Sequence, residues 1–295
     1  MEYTQSIANT KKAEIMLIGN ELLIGITRDI NAFWLGKQLT NFGISVVRVT
    51  IIRDDVDEIG FAFNEAIARA PDYLLTSGGL GPTFDDMTIQ AIAKARDINL
   101  VKSDEVIGWL EERYGYLLST GMVKETGLND ARRKMALIPE GSTPLKNNAG
   151  SAPCIFIEIG PTKVFILPGV PREVQALFSE QIVPILQQES EGIRLYERRF
   201  VVEGVGESTV SAQIVELMKE LDDRIWIKSH AKYRDGHYYM EMHVSGYGID
   251  TFEQDVDVAA TRVREIVASQ GGQVREMDEE KREPDRDAGP ETDSS

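Results

Sequence analysis

The segment TSGGLGPTFDDMT, Thr76 to Thr88, sets three glycines, a proline and a threonine directly ahead of two adjacent aspartates. Gly78, Gly79 and Gly81 can take positive φ and let a ligand approach the backbone, so main-chain amides can hold phosphate oxygens without a cationic side chain. A tight strand-to-helix turn by itself accounts for one or two of these glycines. The segment is not a Walker loop, since no Gly-Lys-Ser/Thr follows, and in a dinucleotide fingerprint the third glycine position would be Phe84. Adjacent helical positions point in different directions, so Asp85 is the simpler helix cap and Asp86 the acid expected to do chemistry. No Lys or Arg occurs between Arg69 and Lys94. A phosphate here would meet two carboxylates and no local base. A divalent cation (Mg²⁺, Mn²⁺ or Co²⁺) would relieve that repulsion, and distant bases such as Arg172 or Lys146 are the alternative.

Further candidates follow other strands. Glu21, just past the first strand, reads as a metal ligand or general base, or as a plain loop acid. Asp54 and Asp55 form a second acidic edge, or break the strand and cap the next helix. In NNAGSAP, the amides of Asn147 and Asn148 and the turn at Gly150 suit a base or ribose. Ser77 at the end of the third strand, and Pro168 and Gly169 after KVFIL, fall at the same edge and join the expected ligand-binding set. His237 and His243 share a strand face with Tyr239 and Glu241, which argues for a solvated face rather than a metal site. Cys154 has no CxxC partner and reads as a packed thiol. GVGES, Gly204 to Ser208, is a strand-to-helix turn with Ser208 as cap.

Positioning these residues requires a parallel sheet. Glu14–Ile18 reads as a buried strand. Asn31 then caps a helix with Leu35, Leu39 and Phe42 on one face before Gly43 stops it. SVVRVTII is a β-branched strand, Ile59 to Ala70 a helix up to Pro71, and YLLT the third strand. Helices follow over 86–96 and 103–118, then the strands CIFIEI and KVFIL, and a helix that Pro171 opens and that runs to about Gln188. Alternation at this spacing means βαβ units. Ligands then bind beyond the carboxyl ends of the strands, where the unusual residues fall. The expected fold is α/β, a three-layer doubly wound, mostly parallel sheet, with a smaller α+β domain of β-α-β-β-α order. The expected boundaries are 1–12 for an N-terminal extension, 13–191 and 192–272 for the two domains, and 273–295 for an acidic disordered tail.

Charge and composition exclude several classes. Of the net −16, about −6 comes from nine acids and three bases from Glu276 onward, leaving a moderately acidic body that argues against nucleic acid. The tail has no bulky apolar residue past Met277 and cannot offset its ordering entropy. One cysteine fits a reducing compartment, no stretch has the length of a membrane span, and the start is not a signal peptide, so a cytoplasmic protein is expected. A homo-oligomer, dimer or trimer, is the expected association.

Taken together, GNELLIG, SGGLGPTFDDMT, NNAGSAP and LPGVPREV occur in the order seen in the molybdopterin-binding (MoaB/Mog-like) domain of the CinA family, and roughly Ala13 to Gln188 resembles that domain. GVGES with the β-α-β-β-α pattern resembles the KH-like domain that follows it. The resemblance implies a phosphorylated pterin or nucleotide ligand at Gly78, Gly79, Gly81, Pro82 and Thr83, with Asp86 the functional acid. It also implies metal-dependent ADP-ribose pyrophosphatase activity or, by analogy with the molybdenum-cofactor enzymes, adenylylation of molybdopterin; a binding module without turnover is the third possibility. Asn20 stands where the family pattern has Asp, Ser151 where it has Thr, and Cys154 where it has Gly. No segment resembles the family's C-terminal deamidase domain, so deamidation is not expected.

Overall fold

The computed structural model describes residues 11–124, 127–189, 192–222, 224–234 and 236–277, which fall into two compact units divided at Gly192. In the first, β1 (Lys12–Ile18) leads through a short helix, α1 (Asn20–Leu23), to α2 (Asn31–Asn41). β2 (Ser45–Ile52), α3 (Val56–Ala68), β3 (Tyr73–Ser77) and α4 (Thr88–Arg96) follow. After β4 (Leu100–Lys102), α5 (Asp104–Ser119), α6 (Asp130–Lys134), β5 (Leu137–Pro139) and β6 (Thr143–Leu145), the chain forms β7 (Cys154–Ile159) and β8 (Thr162–Leu167). α7 (Pro171–Leu177) and α8 (Val183–Glu189) are joined by a π-helical turn, Phe178–Ile182, next to Pro184, which lacks the N–H that would continue an α-helical ladder.

The central sheet has the order β2-β1-β3-β8-β7-β6, with β2, β1, β3 and β8 parallel, β7 antiparallel to β8, and β6 antiparallel to β7. Helices cover both faces. Met16, Ile18, Leu74, Val164 and Ile166 pack against Ile59 and Phe63 of α3, Ile92 of α4 and Leu110 of α5. On the other face Ile15, Leu17, Leu75, Phe165 and Leu167 pack against Leu35 and Leu39 of α2 and Leu177 of α7. The architecture is the three-layer, mostly parallel α/β sandwich expected. Register aligns the strand ends: Ile18 pairs with Ile52, Leu17 with Ser77, and Ser77 with Leu167. The loops that follow therefore leave one edge of the sheet at the same level.

Several local expectations are corrected. The helix after the aspartates begins at Thr88 with Met87 as N-cap, so Asp85 does not cap it. Asn31 is the first residue of α2 rather than its cap; the Asp29 carboxylate accepts from the N–H groups of Asn31 and Ala32 instead. Asp55 caps α3 by accepting from the amides of Asp57 and Glu58. β1 begins at Lys12, inside the expected N-terminal extension.

The second unit contains β9 (Arg194–Glu203), α9 (Glu207–Glu220), β10 (Ile225–Arg234), β11 (His237–Gly248), α10 (Phe252–Ser269) and β12 (Gln273–Glu276) in an antiparallel sheet ordered β10-β11-β9-β12. Along β11, Met240, Met242 and Val244 are buried against Val210 of α9 and Val263 of α10, while alternate residues face outward. His243 is one of these, 2.9 Å from a carboxylate oxygen of Glu197. Gly206, not Ser208, is the N-cap of α9. The boundary expected at 272 is also corrected, because β12 pairs with β9 within the stretch read as tail. Residues 278–295, the remainder of that tail, lie outside the described residues.

Candidate functional site

Backbone bonds lace neighbouring loops together where the parallel strands end. The amide of Gly19 donates to Ile52 O, that of Gly78 to Leu167 O, and that of Asn20 to the Asp54 carboxylate at 2.8 Å. A Cβ at Gly78 would lie 2.0 Å from Ile18 O, and one at Gly79 2.3 Å from the Thr88 hydroxyl; both glycines have positive φ, +117° and +67°. Gly81 is needed for a different reason, since a Cβ there would lie 2.6 Å from the Asp86 carboxylate. Thr88, fully buried at the start of α4, closes the loop: its hydroxyl donates to Gly78 O at 2.9 Å and its amide to Gly79 O at 3.1 Å.

Within this loop the acids are organised by Thr83. Asp86 Oδ2 accepts from the Thr83 amide at 2.8 Å and from the Thr83 hydroxyl, which also contacts Asp85. The Thr83 hydroxyl bond and the Asp85 backbone hold the Asp85 carboxyl below its usual range. Pro82 has no N–H and that of Thr83 is spent on Asp86, so within 78–83 the amides left without a protein acceptor are those of Gly79, Leu80 and Gly81. All three residues line the cleft between these loops, and free loop amides are the groups that hold anions without a cationic side chain. Lys134 Nζ, from the end of α6, donates to Thr83 O and to Asp86 O at 2.7 Å and fixes the loop from its other side.

The loops enclose a cleft of about 630 Å³. Glu21, Asp54, Gly78, Gly79, Gly81, Pro82, Thr83, Asp85, Asp86, Gly150, Pro168 and Gly169 all line it, brought together from five segments of chain. Ser77 and Asn147, expected to touch ligand, are instead buried behind the lining. Ser77 Oγ donates to Pro168 O and accepts from Asn31 Nδ2, which also donates to Gly169 O at 2.8 Å. Asn147 shapes the 147–153 turn, its Oδ1 accepting from the amides of Ala149 and Gly150 and its Nδ2 donating to Ala152 O and to Glu173 Oε2. Of the distant bases considered, Lys146 is paired with Glu112, and Arg172 is exposed and outside the lining.

Two carboxyls in the lining are pushed up. Asp54 is raised by partial burial, against the lowering effect of the Asn20 amide, with Glu21, Asp85 and Asp86 adding like charge. Glu173 is raised by burial, against the hydrogen bond from Asn147. Raised acids in a cleft are a general mark of functional sites. Among the described residues no three carboxylate, histidine or cysteine side chains converge as a closed metal cage would. Asp86 and its neighbours fit a cation held in the other common way, by one or two carboxylates together with the phosphates of a ligand.

Sequence reasoning did not assign Glu173, Arg113, Tyr114, Thr88 or Lys134 to the site, and it gave Asn31 only the role of a helix cap. Arg113 carried a signal: on α5 it continues the face of Val106 and Leu110, where the helical pattern asks for an apolar residue. Glu173 and Asn31 act through contacts distant in sequence, which no local pattern shows.

The fold is a three-layer α/β domain with its cleft at the carboxyl edge of the sheet, the place where open parallel sheets hold ligands. Residues 14–188 match the family of probable molybdopterin binding domains, and the chain belongs to that family. Its relatives place it with the CinA-like members. A crystal structure of CinA from Thermoplasma acidophilum shares 39% identity at a TM-score of 0.54, covering 60% of this chain and 99% of that one. A protein of Pyrococcus furiosus is 37% identical over 264 residues, 90% of this chain and 98% of its own length. A protein of Metallosphaera sedula is 37% identical over 263 residues, 88% of this chain and 96% of its own. The Pyrococcus furiosus and Metallosphaera sedula relatives span both units. No described helix is long and apolar enough to cross a membrane.

Proposed function

We propose that the cleft binds a phosphorylated nucleotide or pterin and that the protein is a metal-dependent pyrophosphatase acting on ADP-ribose or a similar nucleoside diphosphate compound. The observation that carries this reading is the convergence of twelve motif residues from five segments on one cleft that combines free loop amides with acids. Free amides at Gly79, Leu80 and Gly81 stabilise charge on a phosphate oxygen. Asp86, held by Thr83, is the acid expected to carry the divalent cation (Mg²⁺, Mn²⁺ or Co²⁺), assisted by Asp54 or Asp85. When bound, that ion neutralises phosphate charge and lowers the pKa of a coordinated water. Glu21, or Asp54 with its raised carboxyl, accepts the proton of the attacking water, and the leaving phosphate departs with the second half of the substrate.

The test is purified protein with ADP-ribose and each of the three metals. AMP release that Asp86→Ala abolishes supports the reading, and no release with any metal refutes it. The description of the family as molybdopterin binding favours a second reading, adenylyl transfer from ATP to a pterin through the same loop. Formation of adenylylated pterin would rank it first, and tight nucleotide binding without any product would indicate a binding module.

We also propose that the protein forms a homodimer or homotrimer. β2 is an edge strand of the central sheet, and its Val47, Val49 and Ile51 are 48%, 48% and 40% exposed. Unpaired apolar edges of this kind favour association.

A further inference from the structure

Among the described residues lining the cleft there are five carboxylates, Glu21, Asp54, Asp85, Asp86 and Glu173, and one cation, Arg113. Arg113 sits one turn beyond Leu110 and two beyond Val106, both fully buried, so α5 carries it on the face turned to the protein body. Its Nε is out of contact with solvent and has no hydrogen-bond partner. The guanidinium carbon lies 6.0 Å from the Tyr116 ring centroid, an interaction that uses none of its N–H donors. Glu173 feels the charge of Arg113, yet no hydrogen bond joins the two; Asn147 holds Glu173 Oε2 at 2.7 Å instead. A planar fork of donors is thus left uncommitted at the wall of an otherwise acidic cleft. Stored donors of this geometry match phosphate oxygens.

We propose that Arg113 is the anion anchor of the cleft: it hydrogen-bonds the second phosphate of a diphosphate ligand whose first phosphate lies on the amides of Gly79, Leu80 and Gly81. The inference rests on the reading of the cleft as a phosphate site, but it requires neither metal nor turnover. It assigns to Arg113 the preference for diphosphates over monophosphates. The metal neutralises charge on the side of Asp86, and Arg113 does so from α5.

The experiment is calorimetric titration of the full chain with ADP and with AMP, in excess EDTA, for the wild type, Arg113→Gln and Arg113→Lys. The wild type binds ADP more tightly than AMP. Arg113→Gln weakens ADP at least tenfold and AMP less than threefold, and Arg113→Lys falls between the two for ADP because it keeps the charge and loses the fork. A merely structural role would weaken both nucleotides alike, so parallel losses overturn the proposal, as does unchanged ADP binding in Arg113→Gln. If the wild type binds neither nucleotide with or without metal, the phosphate-site reading itself fails; if it binds ADP and Arg113→Gln matches it, only the assignment of Arg113 fails. Melting curves of the larger unit confirm that Arg113→Gln is folded, and Arg113→Lys decides the matter if it is not.

Discussion

Replacing Gly78 by alanine separates what the loop needs from what a generic turn needs. Gly78 sits at φ +117°, and a Cβ there would lie 2.0 Å from Ile18 O, a backbone atom that cannot swing aside. An L-residue in this region costs roughly 1–2 kcal/mol in local strain. Moving β1 or the loop to relieve the contact adds about 1–3 kcal/mol, the usual range for overpacking. Gly160, in the β7–β8 turn at φ +58° with nothing within 4 Å of its Cβ position, bears strain of about 1 kcal/mol and no clash. For a unit of this size each kcal/mol moves the melting temperature by about 2–4 °C. Gly78→Ala is therefore expected to lower the calorimetric transition of the larger unit by roughly 6–15 °C, and Gly160→Ala by about 3 °C. The Gly78 variant also loses affinity for ADP, because the amides of Gly79, Leu80 and Gly81 move with the loop. If the two variants melt within about 2 °C of each other, the argument that the strand-end loops are locked backbone to backbone is wrong.

Other consequences are as direct. Cys154, fully buried with its thiol pushed up by that burial, does not react with an aromatic disulfide reagent at pH 8 in the native protein and reacts once per chain after denaturation; rapid native labelling contradicts the packing of β7. Burial pushes the Glu189 carboxyl up, but hydrogen bonds from Lys163, Tyr73 and Lys11 overcome this and hold it down at about 2. A depressed carboxyl gives stability that is present above the unfolded value near 4.5 and lost as pH falls towards 2. Glu189→Gln thus destabilises by up to about 3 kcal/mol at pH 7 and by almost nothing near pH 2, and a pH-independent penalty from denaturant titrations would refute the pairing. Light scattering should find the wild type as a dimer or trimer and Val49→Lys with Ile51→Lys shifted to monomer; a monomeric wild type rules out the edge-strand association.

The layer order and the loops of the site were legible in the sequence because parallel buried strands read as continuous apolar runs and strand ends carry Gly, Pro and Asp in place of them. YLLT and KVFIL show this plainly, whereas SVVRVTII, the largely exposed edge strand β2, was legible by its β-branched residues. β4, β5 and β6, three residues each, are too short to display a period and were invisible. β12 was hidden by its charges: Gln273, Arg275 and Glu276 are exposed on an edge strand, where polar residues are tolerated. At the site, sequence placed the glycines and acids but not their division of labour. Gly78, Gly79 and Gly81 each answer to a specific neighbour, Ile18 O, Thr88 and Asp86, and none of these distances is visible in the motif. Asp85 was read as the helix cap because capping is its commonest use beside a helix, yet the helix starts three residues on and Thr83 claims both acids. The missing local base was a correct observation with an incomplete answer: Lys134 and Arg113 arrive from α6 and α5 by tertiary folding, one to brace the loop and the other to line the cleft.

The central claim, that the carboxyl edge of the sheet holds a phosphorylated ligand, is tested most directly by a crystal soaked with ADP-ribose and Mn²⁺. The account predicts phosphate density within hydrogen-bonding distance of the amides of Gly79, Leu80 and Gly81, with anomalous signal from the ion beside Asp86. A ligand bound elsewhere on the chain, with the cleft filled by water alone, would contradict it.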